Sequence, residues 1–362
     1  MVLVAKHHDG YCLWPTDVAH PHRPGWHSRR DVVGELADAV RRAGMRFGLY
    51  YSGGLDWTFD DRPMGSMGDM LAAVPRGGYP AYAEAQVREL IDRYRPSVLW
   101  NDIAWPESGR RLWPLFADYY AAVPDGVVND RWMPWNPVMA AAGSALVRRL
   151  LDAGVSRMAS PDGGLVPPRP PHFDVRTPEY VAFDDVQRTP WECIRGMDQS
   201  FGYNAQSRPE DFIDRADLLW LLADIAAKGG NLLLNVGPRG VDGVIPDEQL
   251  DRLAWLGSWA VPHAGALLGT RPWVRPGTTT VDGRPVRYTT RDDTVHALVQ
   301  GGPGRAVLGD VRPTPTTSVT TVDGVALDWV DGPDGLSVSL PDRAVPEEPA
   351  VVALHHVEAR AR

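Results

Sequence analysis

At 362 residues and 44% hydrophobic content, the chain can bury a large core and has the length of two domains. A net charge of −9, with basic residues clustered no further than pairs such as Arg29-Arg30 and Arg41-Arg42, leaves no electrostatic footprint for nucleic acid or an anionic membrane surface. Two cysteines, Cys12 and Cys193, imply no disulfide framework, and no apolar run reaches membrane-spanning length. A neutral small-molecule ligand fits this balance. Lys stands only at positions 6 and 228, which reads as base composition, whereas 14 Trp residues supply flat faces suited to sugar rings or, more ordinarily, to cores.

From residue 1 to about 267, short apolar runs alternate with segments of helical period, the pattern of βα units on a parallel sheet. Val2–Ala5 is the first run. A helix follows with Asp31 as N-cap and Val32, Val33, Leu36, Ala37 and Val40 on its apolar face, and it leads to the run Arg46–Tyr51. Helices around Tyr82–Tyr94 and Leu112–Ala122 lead into runs at Ser97–Asn101 and Gly126–Asp130. Further strands are expected at His172–Arg176, Trp191–Arg195 and Asn231–Val236, with helices near Pro209–Ala227 and Asp247–Ala260. Six or seven strands result, short of the eight of a closed (β/α) barrel.

Residues 137–171 interrupt the rhythm with an apolar helical stretch and a rigid Pro-rich segment, a loop insertion. After about residue 268, short Val/Thr-rich runs separated by Gly, Pro and Asp turns predict a small antiparallel β-sandwich domain over 268–362. Polar residues gather where the parallel strands end, the rim at which barrels carry their chemistry: His7 and His8, Tyr50, Asn101 and Asp102, Asp130 and Arg131, and Asn235.

Asp102 ends a buried run between Trp100 and Trp105, a setting that suits a nucleophilic carboxylate and equally an N-cap for the next helix. Glu179 and Glu192 are both candidates for a partner acid, and spacing does not choose between them. His7-His8-Asp9 invites a metal reading, but adjacent strand residues point to opposite faces, so hydrogen bonding to sugar hydroxyls by the one facing inward is the better role. His20-Pro21-His22 reads as a solvated loop, and Lys228-Gly229-Gly230 as a helix C-cap.

Taken together, six stretches resemble glycoside hydrolase family 29, the α-L-fucosidases, in that family's order. They are Lys6-His7-His8-Asp9-Gly10-Tyr11-Cys12-Leu13-Trp14, Tyr50-Tyr51-Ser52-Gly53-Gly54-Leu55-Asp56-Trp57, Leu99-Trp100-Asn101-Asp102, Val128-Asn129-Asp130-Arg131-Trp132, Ser200-Phe201-Gly202-Tyr203-Asn204 and the run from Lys228 to Pro238. The resemblance implies a retaining exo-glycosidase acting on terminal α-L-fucosides, with Asp102 as nucleophile and Glu179 as acid/base, Glu192 dropping to a structural role. It implies His7, His8, Tyr50, Trp100, Arg131 and Phe201 as substrate-binding residues, fucosylated oligosaccharides or glycoconjugates as substrates, and no metal or organic cofactor. A homo-oligomer stays open.

Two departures bear on this. Ala104 stands where the family usually has Gly, and the 137–171 insertion lengthens the path from Arg131 to Glu179. The family's Lys-His-His-Asp motif begins here at residue 6, although family members carry further barrel strands before it. The expectation is an incomplete barrel, and its companion reading is a fucosidase-like chain that binds fucosides weakly without turning them over.

Overall fold

A computed structural model describes residues 1–142, 144–156, 164–341 and 345–360. They form two compact units, Met1–Thr177 and Pro178–Arg362.

In the first unit the elements follow the expected order with one short helix, α2, added: β1 (Val2–Lys6), α1 (Val32–Arg42), β2 (Gly48–Tyr51), α2 (Met67–Ala72), α3 (Tyr79–Tyr94), β3 (Val98–Asn101), α4 (Gly109–Ala122) and β4 (Val127–Val128). The strands lie parallel in the order β1-β2-β3-β4. Local signals account for the helices between them. Asp31 caps α1 by accepting a hydrogen bond from the Gly34 N–H at 2.8 Å, while Val33, Ala37 and Val40 turn inward at helical spacing. α3 ends where Arg95 takes a left-handed φ of 42° before Pro96, which cannot continue a helix. A single core of Val33, Leu49, Leu90, Leu99, Leu115 and Val128 joins these helices to the sheet.

The insertion carries α5 (Pro137–Ala141) and α6 (Ala145–Ser156); α6 packs on α2, with Arg148 paired to Asp69 at 3.3 Å. Met139 of α5 is buried against Ala104, two residues past Asp102.

The strand expected at His172–Arg176 is absent. Val175 makes only an isolated parallel bridge to Asn129. The reason is a side chain in the place of backbone: the Asp174 carboxylate accepts the Val128 N–H at 2.8 Å, while the Asp174 and Val175 N–H groups both turn to the Val128 carbonyl. The donors are satisfied without a ladder.

In the second unit β5 (Glu192–Arg195) and β6 (Asn231–Leu234) form a parallel pair, with α7 (Arg215–Ala227) between them and α8 (Asp247–Ala260) and α9 (Ala264–Leu267) following. Lys228 is the C-cap of α7, with Gly229 at φ 75°. Among the described residues the parallel strands therefore form a sheet of four and a pair, and their pairings alone do not close a barrel.

Eight antiparallel strands follow: β7 (Arg271–Thr279), β8 (Pro285–Arg291), β9 (Thr294–Val299), β10 (Arg305–Leu308), β11 (Val311–Thr320), β12 (Trp329–Gly332), β13 (Gly335–Ser339) and β14 (Ala350–Ala359). They make two sheets, β11-β14-β9-β8-β7 and β10-β13-β12, whose inward residues share one core. β8 and β12 escape the sequence pattern because neither holds a continuous apolar run. The change of texture at 267/268 falls at the end of α9, yet the second compact unit begins ninety residues earlier. Leu219, Trp259 and Leu267 explain this by packing α7, α8 and α9 onto Leu298 and Val351 of the larger sheet.

His296 of β9 is 6% exposed and its Nδ1 has no hydrogen-bond partner among the described residues. Burial, with His355 and Arg291 adding to it, pushes its pKa down to about 4. The unfolded chain takes up a proton near pH 6.5 that the folded chain refuses until about pH 4, so stability falls as pH drops through that window, by about 3 kcal/mol in full. The expected result is that His296→Gln loses less stability between pH 7 and pH 4.5 than the wild type in chemical denaturation. Equal losses would remove His296 from this account.

Candidate active site

Four parallel strands of the first unit run side by side, and its predicted site residues lie at or just past their C-terminal ends. The register pairs Val4 with Tyr50 and Tyr50 with Trp100, so residues 50 and 100 project to the same face. The Tyr50 and Trp100 rings stack at 5.2 Å, and the His7 ring continues the row, parallel to Tyr50 within 5° at 5.5 Å. The Arg131 guanidinium lies 5.1 Å over the Trp100 ring. An aromatic wall with a cation at one end results.

Asp102 stands immediately after β3. Tyr50 donates its hydroxyl to Asp102 Oδ2 at 2.7 Å, while Oδ1 accepts the Ile103 N–H at 2.8 Å and Arg131 Nη1 at 3.4 Å. The backbone here makes a γ-turn: Ala104 N–H bonds to the Asp102 carbonyl at 3.0 Å and Ile103 takes φ 70°. A β-branched residue at positive φ is strained by about 1–3 kcal/mol, so packing and hydrogen bonds must hold it. Gly53 and Gly54 supply part of that hold. A Cβ on Gly53 would meet Asn101 Oδ1 at 2.2 Å and one on Gly54 the Ala104 nitrogen at 2.7 Å, while the Gly54 N–H donates to the Asp102 carbonyl. Asp102 is thus displayed on a turn, and the N-cap of α4 is Ser108.

Arg131 is fixed from behind. Its Nε and Nη2 donate to Thr177 Oγ1 (3.2 Å) and the Thr177 carbonyl (2.9 Å); Thr177 in turn donates from Oγ1 and N–H to the buried Asp130 carboxylate at 2.5 and 3.0 Å. Arg176 also approaches Asp130, at 3.5 Å. Burial raises the Asp130 pKa, against the lowering by Thr177 and the two arginines.

His7 and His8 do not alternate across a strand as expected. β1 ends at Lys6, so both lie in a turn rather than a strand, and their rings are 4.1 Å apart. His8 Nε2 lies 4.0 Å from Asp102 Oδ2, and its Nδ1 bonds to Ser52 Oγ at 2.6 Å. Burial pushes the His8 pKa down to about 4, with His7 adding to it and Asp102 opposing. His8 is therefore neutral at neutral pH.

Beneath the two histidines sits a network that pattern reading missed. Lys6 Nζ and Asp56 Oδ2 pair at 2.8 Å with both side chains fully buried, and the ammonium lies 4.5 Å over the Tyr51 ring. Thr58 donates to Asp56 from both its N–H and hydroxyl. His20, read as a solvated residue, is in fact 7% exposed: its Nδ1 accepts the His22 and Arg23 N–H groups at 3.0 and 2.9 Å, leaving Nε2–H to bond Thr58 at 2.7 Å. A buried pair such as Lys6 and Asp56 contributes rigidity, since removing one member strands the other at a cost of about 3–5 kcal/mol. The available signal was a Lys and an Asp inside the motifs at 6–14 and 50–57.

The second unit holds the other predicted residues. Glu179 bridges Ile194, near the C-terminal end of β5, whereas Glu192 is the first residue of that strand. Next to Glu179, Tyr180 takes φ 53°, its ring lies 5.2 Å from Phe201, and its hydroxyl accepts the Gly196 N–H at 3.1 Å. The Arg195 guanidinium lies 5.4 Å over the Tyr180 ring, and Asn235 donates to the Phe201 carbonyl.

Comparison with known proteins gives the class first: the chain is a glycoside hydrolase. A family model described as α-L-fucosidase matches residues 1–264, and the chain belongs to that family, glycoside hydrolase family 29. It is 30% identical to an α-L-fucosidase of Branchiostoma floridae, over 94% of this chain and 70% of that protein, and 27% identical to the human tissue α-L-fucosidase, over 96% and 70%. The structure of the Thermotoga maritima α-fucosidase in complex with a mechanism-based inhibitor matches 98% of this chain and 75% of its own, with 36% identity and a TM-score of 0.78. The same enzyme in complex with fucose matches with a TM-score of 0.77, covering 98% and 74%.

Proposed function

We propose that the chain hydrolyses terminal α-L-fucosides with net retention, through Asp102 as nucleophile and Glu179 as acid/base. The observation that carries the reading is Asp102 on its γ-turn, with Tyr50 and Arg131 on its two oxygens at the end of an aromatic wall. In the first step an Asp102 oxygen bonds to the anomeric carbon as the bond to the aglycone oxygen breaks, and Glu179 gives its proton to that oxygen. In the second, Glu179 takes a proton from water, the water oxygen bonds to the anomeric carbon, and Asp102 leaves as carboxylate. Two inversions give retention.

Tyr50 and Arg131 offset charge on Asp102 as it leaves, which favours the second step. His7 and His8 bond sugar hydroxyls, and Trp100, Tyr50 and Phe201 offer aromatic faces to the apolar side and methyl group of fucose. The position of Glu179 beside the end of β5, against Glu192 at its start, favours Glu179. Fucosylated oligosaccharides or glycoconjugates are the substrates, and no step needs a cofactor.

The test is release of 4-nitrophenol from 4-nitrophenyl α-L-fucoside by the folded chain, with the first-formed anomer read by proton NMR. Release of α-L-fucose is expected. First-formed β-anomer would overturn retention, and fucose binding without release would favour the companion reading of a binding protein.

A further inference from the structure

Ser52 is absent from the residues that the resemblance implies, yet its side chain meets His8, a candidate sugar-binding residue, at 2.6 Å. Its side chain is fully buried, and its Oγ lies 2.6 Å from His8 Nδ1 and 2.8 Å from the Leu55 carbonyl. A hydroxyl has one proton, and a carbonyl accepts only. The Ser52 proton therefore goes to Leu55, and Ser52 can meet His8 only as an acceptor. His8 must carry its proton on Nδ1.

We infer that Ser52 is a positioning residue that fixes His8 in the Nδ1–H tautomer, so that the bare Nε2 faces Asp102 and acts as an acceptor selecting a hydroxyl donor on the substrate. This deepens the fucosidase reading and rests on it for the identity of the hydroxyl. Free histidine in water prefers the opposite tautomer, so without Ser52 the ring would present a donor.

The surroundings agree. Nε2 and Asp102 Oδ2 face each other across 4.0 Å, and Oδ2 already accepts from Tyr50. Two acceptor atoms at that separation gain nothing from each other and leave a place for a donor from outside, which a neutral polyol supplies and a carboxylate does not. The ring is also held in orientation: the Trp57 ring lies edge-on at 5.9 Å, the Trp57 backbone N–H donates to the His8 carbonyl at 2.7 Å, and the His7 ring lies 4.1 Å away. The low affinity of His8 for a second proton keeps Nε2 bare at neutral pH.

The experiment is nitrogen-15 NMR of the histidine side chains in the whole free protein at pH 7, wild type against Ser52→Ala. The wild-type His8 ring is expected as the Nδ1–H form, and the Ser52→Ala ring to move toward the Nε2–H form. An Nε2–H ring in the wild type overturns the inference, as does a tautomer unchanged in Ser52→Ala. If Ser52→Ala does not fold, the wild-type spectrum still decides.

Titration with L-fucose and its 2-, 3- and 4-deoxyfluoro analogues provides the second reading. Fluorine accepts but does not donate, so one analogue is expected to bind the wild type at least about tenfold more weakly than fucose, a preference that shrinks in Ser52→Ala. Equal discrimination in both proteins overturns the role of Ser52. Failure of fucose itself to bind, with the tautomer as stated, would sink the fucosidase reading and leave the positioning by Ser52 intact.

Discussion

Replacing Asp102 with alanine is expected to lower kcat for 4-nitrophenyl α-L-fucoside by about 10⁴-fold or more, while fucose binding survives. The size follows from the loss of a covalent step, and within the first unit Asp130 is turned back to Thr177 and Arg176 while Asp56 is spent on Lys6. Small anions provide a sharper check. Azide entering the space left by the carboxylate would attack from the same face and expel 4-nitrophenolate, which leaves without a proton donor. β-L-fucosyl azide should then accumulate. Residual turnover within tenfold of wild type, or an α-configured azide, would place the nucleophile elsewhere.

The second large effect is expected at Glu179 and depends on the leaving group. In Glu179→Ala, kcat/KM for a fucoside with a sugar aglycone should fall by about 10³-fold, because an alkoxide must leave unprotonated. With 4-nitrophenyl fucoside the first step should proceed nearly unimpaired while the second lacks its base, so a burst of 4-nitrophenol should precede a slow steady state. Glu192→Gln should leave both substrates close to wild type. The opposite pattern would exchange the two glutamates: a burst in Glu192→Gln and none in Glu179→Ala.

Much of this arrangement was legible in the chain. The spacing of Val33, Ala37 and Val40 after Asp31 locates α1, and the runs ending at Tyr51 and Asn101 locate β2 and β3 within two residues. Asp102 could be singled out because an acid directly after a buried run sits at the functional end of a parallel strand, whatever its partners. The misses share a physical cause. His172–Arg176 reads as a strand, but the Asp174 carboxylate replaces a ladder acceptor. His20 reads as solvated, but two backbone donors and Thr58 bury it. Each turns on a side chain bonding backbone or a distant residue, which periodicity does not register.

By itself the sequence determined the order of βα units, the β-rich carboxyl-terminal part, the family and the set of strand-end residues, because burial periodicity and local capping are properties of neighbours along the chain. Only the tertiary structure decided how those residues act on one another. The γ-turn that displays Asp102 depends on glycines at 53 and 54 from the loop after β2, the hold on Arg131 depends on Thr177, and the tautomer of His8 depends on one hydroxyl proton at Ser52. These contacts span 44 to 50 residues of chain or hinge on the direction of a single proton. They exist once folding has brought the strand ends together.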